Sequence, residues 1–366
     1  MTQRPVPGRI VVLGSGLIGT SAALALRRAG AEVWLSDTDP EAAALAAELG
    51  AGQLLPAAGV PGGPADVAVI AVPPASVAAV LSAAQRAGLA TCYTDVASVK
   101  AQPLAQARDA GCDITGYVPG HPLAGRERSG PAAARADLFL GRTWALCPAP
   151  ETSPAALATA RALAAACGAE PVVTDAATHD RWVALISHAP HVVAAALAAR
   201  LAPASVPAGA LQLAGQGLRD STRIAAGDTA LWRQILTGNA APVAEVLTAV
   251  AGDLAAAARA LAGGDPAGDQ KLTELLDQGR AGVARIPGKH GGPARAFAAV
   301  QVVISDRPGE LARLFAAAAA AGVNIEDVGI EHSPGAPVGV AELSVRPEAA
   351  GRLITALADA GWPVRR

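Results

Sequence analysis

The sequence predicts three domains in order: an α/β doubly wound domain, an all-α helical domain and a C-terminal ferredoxin-like α+β domain. Short apolar runs alternate at first with Ala- and Leu-rich stretches, which is typical of a parallel sheet covered by helices. Long helical segments without a convincing strand follow, and the chain ends in a β-α-β-β-α-β order. We place the domains at residues 1–175, 176–286 and 297–366, with a linker at 287–296.

In the first domain, each strand candidate is a short apolar run, and most are followed by a helix candidate. The predicted strands are Arg9–Leu13, Glu32–Ser36, Val67–Val72, Thr91–Asp95, Ile114–Val118 and Thr143–Cys147. The predicted helices are Ile18–Ala29, Pro40–Leu49, Ser76–Ala87 and Pro154–Cys167. This alternation favours a doubly wound sheet with helices on both faces.

A Gly- and Pro-rich stretch between Pro287 and Pro293, typical of a linker, separates the helical and C-terminal domains. The predicted helices before it are His179–Arg200, Ala230–Leu236 and Pro242–Leu261. The predicted elements after it are the strand Val300–Ile304, the helix Gly309–Ala321, the strands Val323–His332 and Val338–Val345, the helix Pro347–Ala360 and a short strand Pro363–Arg366.

The composition indicates a folded cytoplasmic protein that binds neither nucleic acid nor a membrane. The chain is 52% hydrophobic with a net charge of −2, which gives no electrostatic attraction to anionic partners. Its four cysteines have no zinc-type spacing, and we interpret them as buried free thiols in a reducing compartment. The apolar run Ile10–Leu13 enters a glycine turn at once, so we expect no secretory signal. Pro73 and Pro74 interrupt the uncharged segment Val67–Gln85, which argues against a membrane span.

A glycine-rich turn joins the first predicted strand to the first predicted helix and matches G-x-G-x-x-G, the Rossmann fingerprint. Gly14 permits a tight turn, Gly16 lets the backbone approach a pyrophosphate, and Gly19 lets the helix pack closely on the strand. The helix N-terminus supplies amide donors to the phosphates. A glycine turn without a ligand is the alternative, and the flanking strand and helix count against it. The predicted cofactor residues of this turn are Gly14, Gly16, Leu17, Ile18 and Gly19.

A second predicted strand ends at Asp37, whose carboxylate can accept hydrogen bonds from both ribose hydroxyls of a dinucleotide. No Arg or Lys follows at once to bind a 2′-phosphate, so the sequence favours NAD over NADP. Asp39 precedes Pro40 and is interpreted as the N-cap of the next helix. Val72 and Pro73 end another strand, where they either contact the nicotinamide or form plain core and turn.

His121 follows the strand candidate Ile114–Val118, at the edge of the sheet where open α/β proteins bind their cofactor. A histidine there can act as a general base or accept a hydrogen bond from a substrate hydroxyl. A histidine that merely caps a strand end is the alternative, and this residue by itself does not decide between the two.

Five motifs occur in order along the chain. They are Asp95–Lys100 (DVASVK), His121–Gly130 (HPLAGRERSG), His179–Arg181 (HDR), Ser187–His191 (SHAPH) and Arg219–Ala225 (RDSTRIA). The set resembles the prephenate/arogenate dehydrogenase family. The resemblance implies NAD-dependent oxidative decarboxylation of prephenate to 4-hydroxyphenylpyruvate and CO2 in tyrosine biosynthesis, by a homodimer. An arogenate dehydrogenase that yields tyrosine directly is the alternative.

The resemblance also implies roles for individual residues. His121 corresponds to the catalytic histidine that engages the ring hydroxyl, and Ser98 to a serine that orients this histidine and the substrate. His191 and Arg223 correspond to a substrate-binding pair, with Arg223 binding a carboxylate through its planar fork. Because His121 must be neutral to take a proton, activity should fall as the pH drops through its pKa.

Further residues are implied near the mouth of the site. Glu127 and Asp220 resemble acidic residues that organise it, and Glu127 is expected from a second subunit. His188 shares a helix face with His191, so it either binds substrate or packs in the core. Together with His179 these two histidines could also ligate a metal, but the reaction needs none and we expect no metal site. Arg126 departs from the small hydroxyl residue usual in the family, and its role stays open.

The C-terminal segment resembles an ACT domain, a module that usually binds an amino acid between paired copies. The resemblance implies feedback control by tyrosine, and a domain that only helps the chain dimerise is the alternative. Gly309 would let the chain turn tightly and bring a ligand close to backbone amides. The expected effector residues are Asp306, Pro308, Gly309, Leu311, Asn324 and Ile325.

Two other classes of protein share parts of this plan. A β-hydroxyacid dehydrogenase would use a catalytic lysine on the helical domain, but no lysine occurs between Asp175 and Leu261. A non-catalytic amino-acid sensor would leave Ser98, His121 and Arg223 without a purpose.

Overall fold

The computed structural model describes residues 7–125, 128–203, 206–264, 266–287, 297–332 and 337–365. Arg126, Glu127 and most of the predicted linker therefore lie outside the described residues. The chain divides into two compact units, Met1–Ala251 and Gly252–Arg366.

The first unit contains a six-stranded parallel sheet with the strand order β3-β2-β1-β4-β5-β6. Its strands are β1 (Arg9–Leu13), β2 (Glu32–Ser36), β3 (Gln53–Leu54), β4 (Ala65–Ile70), β5 (Ala90–Asp95) and β6 (Tyr117–Val118). In the central strand, Ile10 pairs with Val33 on one side and with Val67 on the other. The strand order reverses between β1 and β4, where doubly wound sheets bind dinucleotides at the carboxyl ends of the strands.

Helices cover both faces of this sheet, which confirms the predicted doubly wound fold. They are α1 (Leu17–Arg28), α2 (Pro40–Glu48), α3 (Val77–Arg86), α4 (Ala101–Asp109) and α5 (Pro154–Ala166). One core contains Leu26 of α1 and Leu163 of α5, and the other contains Leu81 of α3 and Leu104 of α4. Asp39 caps α2, with its side chain accepting a hydrogen bond from the amide of Glu41 as predicted.

The last predicted strand of the domain does not join the parallel sheet. It is β8 (Thr143–Leu146), the centre of a three-stranded sheet between β7 (Gly120–Pro122) and β9 (Glu170–Val173). β7 is antiparallel to β8, while β8 is parallel to β9 across α5. Between β7 and β8 the described residues form a 3-10 turn, Pro131–Ala133, instead of the crossover helix that parallel neighbours require, which fits the antiparallel pairing.

The helix predicted over His179–Arg200 is observed with an interruption. α6 (Ala176–Val183) continues into a π-helical turn, Ala184–His188, before α7 (Ala189–Ala198) begins. Pro190 lies at the start of α7 and has no amide to donate to the carbonyl four residues earlier. A proline at this position explains the local change of hydrogen-bond register.

The remaining helices of the helical segment are α8 (Ala208–Gln212), α9 (Gln216–Thr222), α10 (Thr229–Gly238), α11 (Ala240–Gly263) and α12 (Pro266–Ala284). A 3-10 turn, Arg223–Ala226, follows α9. By length and composition, the stretches Ala176–Leu201 and Ala240–Gly263 could cross a membrane. The finding contrasts with our expectation of no membrane span, and core helices of soluble proteins pass the same test. Only 33% and 6% of their most apolar windows are buried within this chain, so both leave apolar surface uncovered.

The second unit ends in a four-stranded antiparallel sheet with the order β11-β12-β10-β13. The elements are β10 (Ala298–Ser305), α13 (Glu310–Ala320), β11 (Asp327–His332), β12 (Val338–Val345), α14 (Pro347–Asp359) and β13 (Val364–Arg365). Their β-α-β-β-α-β order is the one that the sequence predicts. β11 begins at Asp327 rather than at Val323, which lies instead in the core with Leu314 and Leu353.

All four cysteines are free thiols, as the sequence analysis expected. Cys92, Cys147 and Cys167 are buried, while Cys112 is half-buried. Burial raises the pKa of each of the three buried thiols to about 12, so they are protonated and unreactive at neutral pH.

Candidate active site

The glycine-rich turn lies at the carboxyl end of β1, where its backbone packs against Ala71 at the end of β4. A Cβ atom at Gly14 would lie 2.2 Å from the Ala71 carbonyl oxygen, and the residue has a φ of +110° that favours glycine. A Cβ atom at Gly19 would lie 2.0 Å from the Gly14 carbonyl oxygen. These two glycines are therefore required by close packing of the turn.

Gly16 has a different environment, because a Cβ atom there would meet nothing within 4 Å. It is the N-cap of α1, so the amides of the first helical turn, beginning with Leu17 and Ile18, point into the same open space. The neighbouring Ser15 hydroxyl is buried without a hydrogen-bond partner among the described residues. An open cradle of amide donors with an unpaired hydroxyl fits a dinucleotide pyrophosphate.

Asp37 lies directly after β2 and is tied to the same turn. One carboxylate oxygen accepts a hydrogen bond from the backbone amide of Ser15, and the other accepts one from the amide of Asp39 at 2.9 Å. The carboxylate is thus held beside the glycine-rich turn, in the position expected of an acceptor for ribose hydroxyls. Val72 is half-buried and Pro73 is exposed after β4, immediately before the 3-10 turn Pro74–Ser76.

His121 is the central residue of β7, and the residue before it fixes the position of the strand. A Cβ atom at Gly120 would lie 2.7 Å from the Asp95 carbonyl oxygen and 3.0 Å from Nε1 of Trp144. The Gly120 carbonyl oxygen accepts a hydrogen bond from the Lys100 ammonium at 2.5 Å. Close backbone approach and a charged hydrogen bond therefore hold His121 at the carboxyl end of β5.

Lys100 belongs to a fully buried polar cluster under β7. Its ammonium forms an ion pair with Asp95, and both side chains have an exposed fraction of 0%. The other Asp95 oxygen accepts a hydrogen bond from the Tyr117 hydroxyl at 2.6 Å. Burial and the Asp95 carboxylate raise the pKa of Tyr117 well above its ordinary value, so the phenol stays protonated and donates. Removing either Lys100 or Asp95 would leave a buried charge unpaired, which is strongly destabilising.

The His121 imidazole contacts a second histidine. Its Nδ1 lies 2.9 Å from Nε2 of His179, with the rings edge-on at an interplanar angle of 74°. Nδ1 of His179 lies 2.8 Å from an oxygen of Asp180. The Asp180 carboxylate also accepts the backbone amides of Lys100 and Ala101, each at 2.9 Å. His121, His179 and Asp180 thus form a hydrogen-bonded row that ends at the N-terminus of α4.

The electrostatic environment keeps His121 neutral. Desolvation lowers its pKa well below 6.5, and nearby His179, Lys100 and His188 lower it further. His121 therefore remains an unprotonated acceptor through the physiological pH range, which is what a general base requires.

His188 lies in the π-helical turn, where its imidazole is buried and contacts Asn239. Asn239 donates one side-chain hydrogen bond to the Asp180 backbone carbonyl at 2.7 Å and lies 3.1 Å from Nδ1 of His188. Burial lowers the pKa of His188 to about 4, with the Asp180 carboxylate opposing the shift and His179 adding to it. A buried, neutral and hydrogen-bonded His188 matches the core role that the sequence analysis left open.

His191, on α7, is stacked on an aromatic ring. The His191 and Trp232 ring centroids are 3.6 Å apart with an interplanar angle of 14°, and Trp232 also meets His188 edge-on. Nδ1 of His191 is buried without a hydrogen-bond partner among the described residues. Burial lowers the pKa of His191, so its imidazole is uncharged at neutral pH.

The other predicted substrate residues lie near α7 or near β5. Arg223 begins an exposed 3-10 turn that packs against α7, and Asp220 on α9 accepts a hydrogen bond from Gln216 at 2.8 Å. Ser98 is half-buried between β5 and α4, and in the described contacts no hydrogen bond joins it to His121. Glu127 lies outside the described residues.

The structure brings these segments together through α10. It packs against the 3-10 turn Pro74–Ser76 on one side, while its Trp232 stacks on His191. At its end, a Cβ atom on Gly238 would lie 3.1 Å from Val99, next to Ser98. The carboxyl ends of β4 and β5 therefore lie beside the helices that carry His188 and His191.

Three residues of this region were not predicted to take part in the site through the contacts described above. His179 was weighed only as a metal ligand, and Trp232 and Asn239 were not singled out. The HDR motif was a signal for His179 and Asp180, whereas nothing local distinguishes Asn239. In the part of the chain that the structure describes, no group of three or more His, Cys, Asp or Glu side chains could hold a metal ion.

Similarity to known proteins covers both segments that build the site. Residues 22–173 match the family model described as prephenate dehydrogenase, nucleotide-binding domain, and residues 175–278 match the one described as prephenate dehydrogenase, dimerization domain. A probable prephenate dehydrogenase from Streptomyces niveus is 43% identical over 361 residues, which are 96% of this chain and 98% of the relative.

Two solved structures are also similar to this chain. Prephenate dehydrogenase from Aquifex aeolicus, in complex with hydroxyphenyl propionate and NAD+, is 25% identical with a TM-score of 0.67 and covers 76% of this chain and 98% of its own. Arogenate dehydrogenase from Synechocystis is 27% identical with a TM-score of 0.64 and covers 75% of this chain and 98% of its own.

Proposed function

The chain belongs to the prephenate dehydrogenase family, and we propose from this premise that it converts prephenate to 4-hydroxyphenylpyruvate and CO2 in tyrosine biosynthesis. It is an NAD-dependent dehydrogenase with a Rossmann-like nucleotide-binding domain. The observation that carries the proposal is the 43% identity to a prephenate dehydrogenase relative over 96% of the chain.

Prephenate is a dianion whose ring carbon bears both a hydrogen and a hydroxyl group. NAD, when bound, accepts the hydride that leaves this carbon. His121 takes the hydroxyl proton as the carbonyl forms, and the ring carboxylate then departs as CO2 while the ring becomes aromatic. His121 returns the proton to the phenolate oxygen, so the residue ends each cycle neutral. The open cradle at Gly16 and the Asp37 carboxylate support the binding of NAD beside this histidine.

We assign the substrate carboxylates to the helical segment. Arg223 forms a planar two-point hydrogen bond with one carboxylate, and the neutral His191 imidazole contacts the substrate beside it. Ser98 lies between the strand end and α4, where it orients the substrate near the nicotinamide. The family resemblance assigns Asp220 and Glu127 to the mouth of the site, with Glu127 supplied by a second subunit. Of the two roles open to His188, substrate binding and a place in the core, its burial and its hydrogen bond with Asn239 support the second.

The functional assembly that we propose is a homodimer in the cytoplasm. Residues 175–278 match a dimerization domain, and this range contains both apolar helical stretches that leave surface uncovered. A second copy of the chain would cover this surface, which explains its apolar composition without a membrane. The domain limits that we propose lie near residues 175 and 286, and the family matches over residues 22–173 and 175–278 support the first of them.

We further propose that the C-terminal sheet with its two helices is an ACT domain that responds to tyrosine. Gly309 has a φ of +90° at the N-cap of α13, beside the exposed Asp306 and Pro308. Leu311 and Ile325 pack on the domain core, and the exposed Asn324 donates a hydrogen bond to Glu326 at 3.0 Å. Saturable binding of labelled tyrosine to the full chain would support this role. If no binding occurs at millimolar concentration, the domain only helps the chain dimerise.

Arogenate is the second candidate substrate, because an arogenate dehydrogenase is among the similar structures. The two substrates differ only in a keto or an amino group on the side chain. An assay of both substrates with both NAD and NADP tests the proposal. Prephenate with NAD should give the highest kcat/KM, and a preference for arogenate would transfer the assignment to that substrate. Turnover of neither substrate would overturn the proposed function.

A further inference from the structure

We propose that His179 and Asp180 are positioning residues that hold the His121 imidazole in the tautomer with its proton on Nδ1. In this tautomer Nε2 carries the lone pair and receives the proton of the substrate hydroxyl. The inference rests on the proposed function only in treating His121 as the base. The protonation pattern itself follows from hydrogen-bond donors and acceptors in the first unit.

Asp180 anchors the row, because its two carboxylate oxygens each accept a hydrogen bond from a backbone amide. One oxygen is 2.9 Å from the amide nitrogen of Lys100, and the other is 2.9 Å from that of Ala101. Backbone amides can only donate, and the N-terminus of a helix such as α4 stabilises an anion. Asp180 is therefore an acceptor, and the remaining hydrogen bond to it must come from a donor.

That donor is His179. Its Nδ1 lies 2.8 Å from the Asp180 oxygen, so this nitrogen carries the proton. With the His179 ring in its neutral form, its other nitrogen, Nε2, carries a lone pair and is an acceptor. Nδ1 of His121 lies 2.9 Å from this acceptor and must donate to it. If the proton of His179 were on Nε2 instead, the lone pair of its Nδ1 would face the Asp180 oxygen, which also offers lone pairs.

The result leaves Nε2 of His121 as the basic atom. No described residue forms a hydrogen bond with it. The opposite tautomer would place a proton on Nε2, which could then only donate to a substrate hydroxyl. The row begins at the Asp180 carboxylate, which accepts the amides at the start of α4. Asp180 fixes the proton of His179 on Nδ1, and His179 in turn fixes the proton of His121 on Nδ1.

The row is also held rigidly in place. His179 and Asp180 have exposed fractions of 2% and 3%, and Asn239 donates a hydrogen bond to the Asp180 backbone carbonyl. On the other side, Lys100 binds the carbonyl of Gly120, next to His121. Side chains locked by buried hydrogen bonds keep the base in one orientation before substrate binds.

The tautomer can be measured directly by long-range 1H–15N NMR on the full chain with 15N-labelled histidine. The chain has six histidines, and the His121→Asn variant assigns the His121 signals by their loss. We expect His121 to be protonated at Nδ1 and His179 likewise. A His121 ring protonated at Nε2 would overturn the proposal. This readout does not require turnover, so it separates failure of the inference from failure of the proposed function.

A pair of substitutions tests the effect on catalysis. His179→Gln keeps an acceptor for His121 and a donor for Asp180, whereas His179→Leu keeps the volume and loses both. We expect kcat to fall about 100-fold or more in the Leu variant and less than about tenfold in the Gln variant, with the Kd of NAD unchanged in both. Ala177→Gln places the same side chain on the exposed face of α6 and should leave kcat unaltered. Equal loss in both His179 variants, or no loss in the Leu variant, would contradict a positioning role.

Discussion

The His191 imidazole lies flat against the Trp232 indole, with 3.6 Å between the ring centroids. Gly227 makes this contact possible, because a Cβ atom there would lie 2.5 Å from Nε1 of Trp232 and 3.2 Å from Cε1 of His191. His191 belongs to α7 and Trp232 to α10, while Gly227 directly follows the 3-10 turn Arg223–Ala226. Their packing therefore fixes the position of a predicted substrate-binding residue.

We expect Gly227→Ala to displace the His191 ring and to raise the KM for prephenate about tenfold, equivalent to ~1.4 kcal/mol of binding free energy. Gly217→Ala on α9 is the matched control, because a Cβ atom there meets nothing within 4 Å. Steady-state kinetics with saturating NAD measure the effect. An unchanged KM in Gly227→Ala would show that His191 does not contact the substrate.

Two glycines of the nucleotide-binding turn should respond differently to alanine. At Gly19 a Cβ atom would lie 2.0 Å from a carbonyl oxygen, so Gly19→Ala should lower the thermal stability of the protein without NAD. At Gly16 the Cβ atom has open space, so Gly16→Ala should leave this stability unchanged and weaken NAD binding at least tenfold. Thermal unfolding and calorimetric titration with NAD separate the two effects. Wild-type NAD affinity in Gly16→Ala would mean that the pyrophosphate lies elsewhere.

Protonation of His188 should make the protein less stable at low pH. Its pKa is about 4 in the folded chain and about 6.5 in the unfolded chain, so the unfolded state binds the proton first as the pH falls. The contribution is complete above pH ~6.5 and is lost as the pH drops towards the folded value. Between pH 7 and 5 this loss is about 2 kcal/mol of unfolding free energy.

His188→Gln should remove that part of the pH dependence, because its amide oxygen can still accept the hydrogen bond of Asn239. Denaturant unfolding of both proteins at pH 7 and pH 5 measures it. The difference between the two pH values should be about 2 kcal/mol smaller in the variant. The same pH dependence in both proteins would show that His188 is not buried in its neutral form.

Local patterns predicted most of the nucleotide-binding domain. The apolar run Arg9–Leu13, the glycine turn and the capping pair Asp39-Pro40 are each determined by neighbours in the chain, and the structure has them as predicted. The strands that were missed, β3, β7 and β9, have two to four residues. Such short strands are defined by their partners across the sheet and carry little periodicity of their own.

The site could be predicted less completely, because its decisive contacts join residues far apart in the sequence. His121 and His179 are separated by 58 positions, and Asn239 by 51 positions from His188. Motif resemblance placed His121 in the site but gave His179 no partner. The π-helical turn was also missed, although Pro190 was the available signal for an interruption.

Arg223 should contribute to substrate binding rather than to the proton transfer. Arg223→Lys keeps the positive charge but loses the planar fork, so we expect the KM for prephenate to rise at least tenfold with a smaller change in kcat. The Kd of NAD should stay at the wild-type value. A large loss of kcat with an unchanged KM would place Arg223 outside the carboxylate site.

The catalytic role of His121 is tested most directly by His121→Asn, assayed for prephenate turnover and, in parallel, for NAD binding. We expect turnover to fall at least about 1,000-fold while the Kd of NAD stays within about twofold of wild type, because the side chain removed is the base and not part of the nucleotide cradle. Near-normal turnover in this variant would contradict that role.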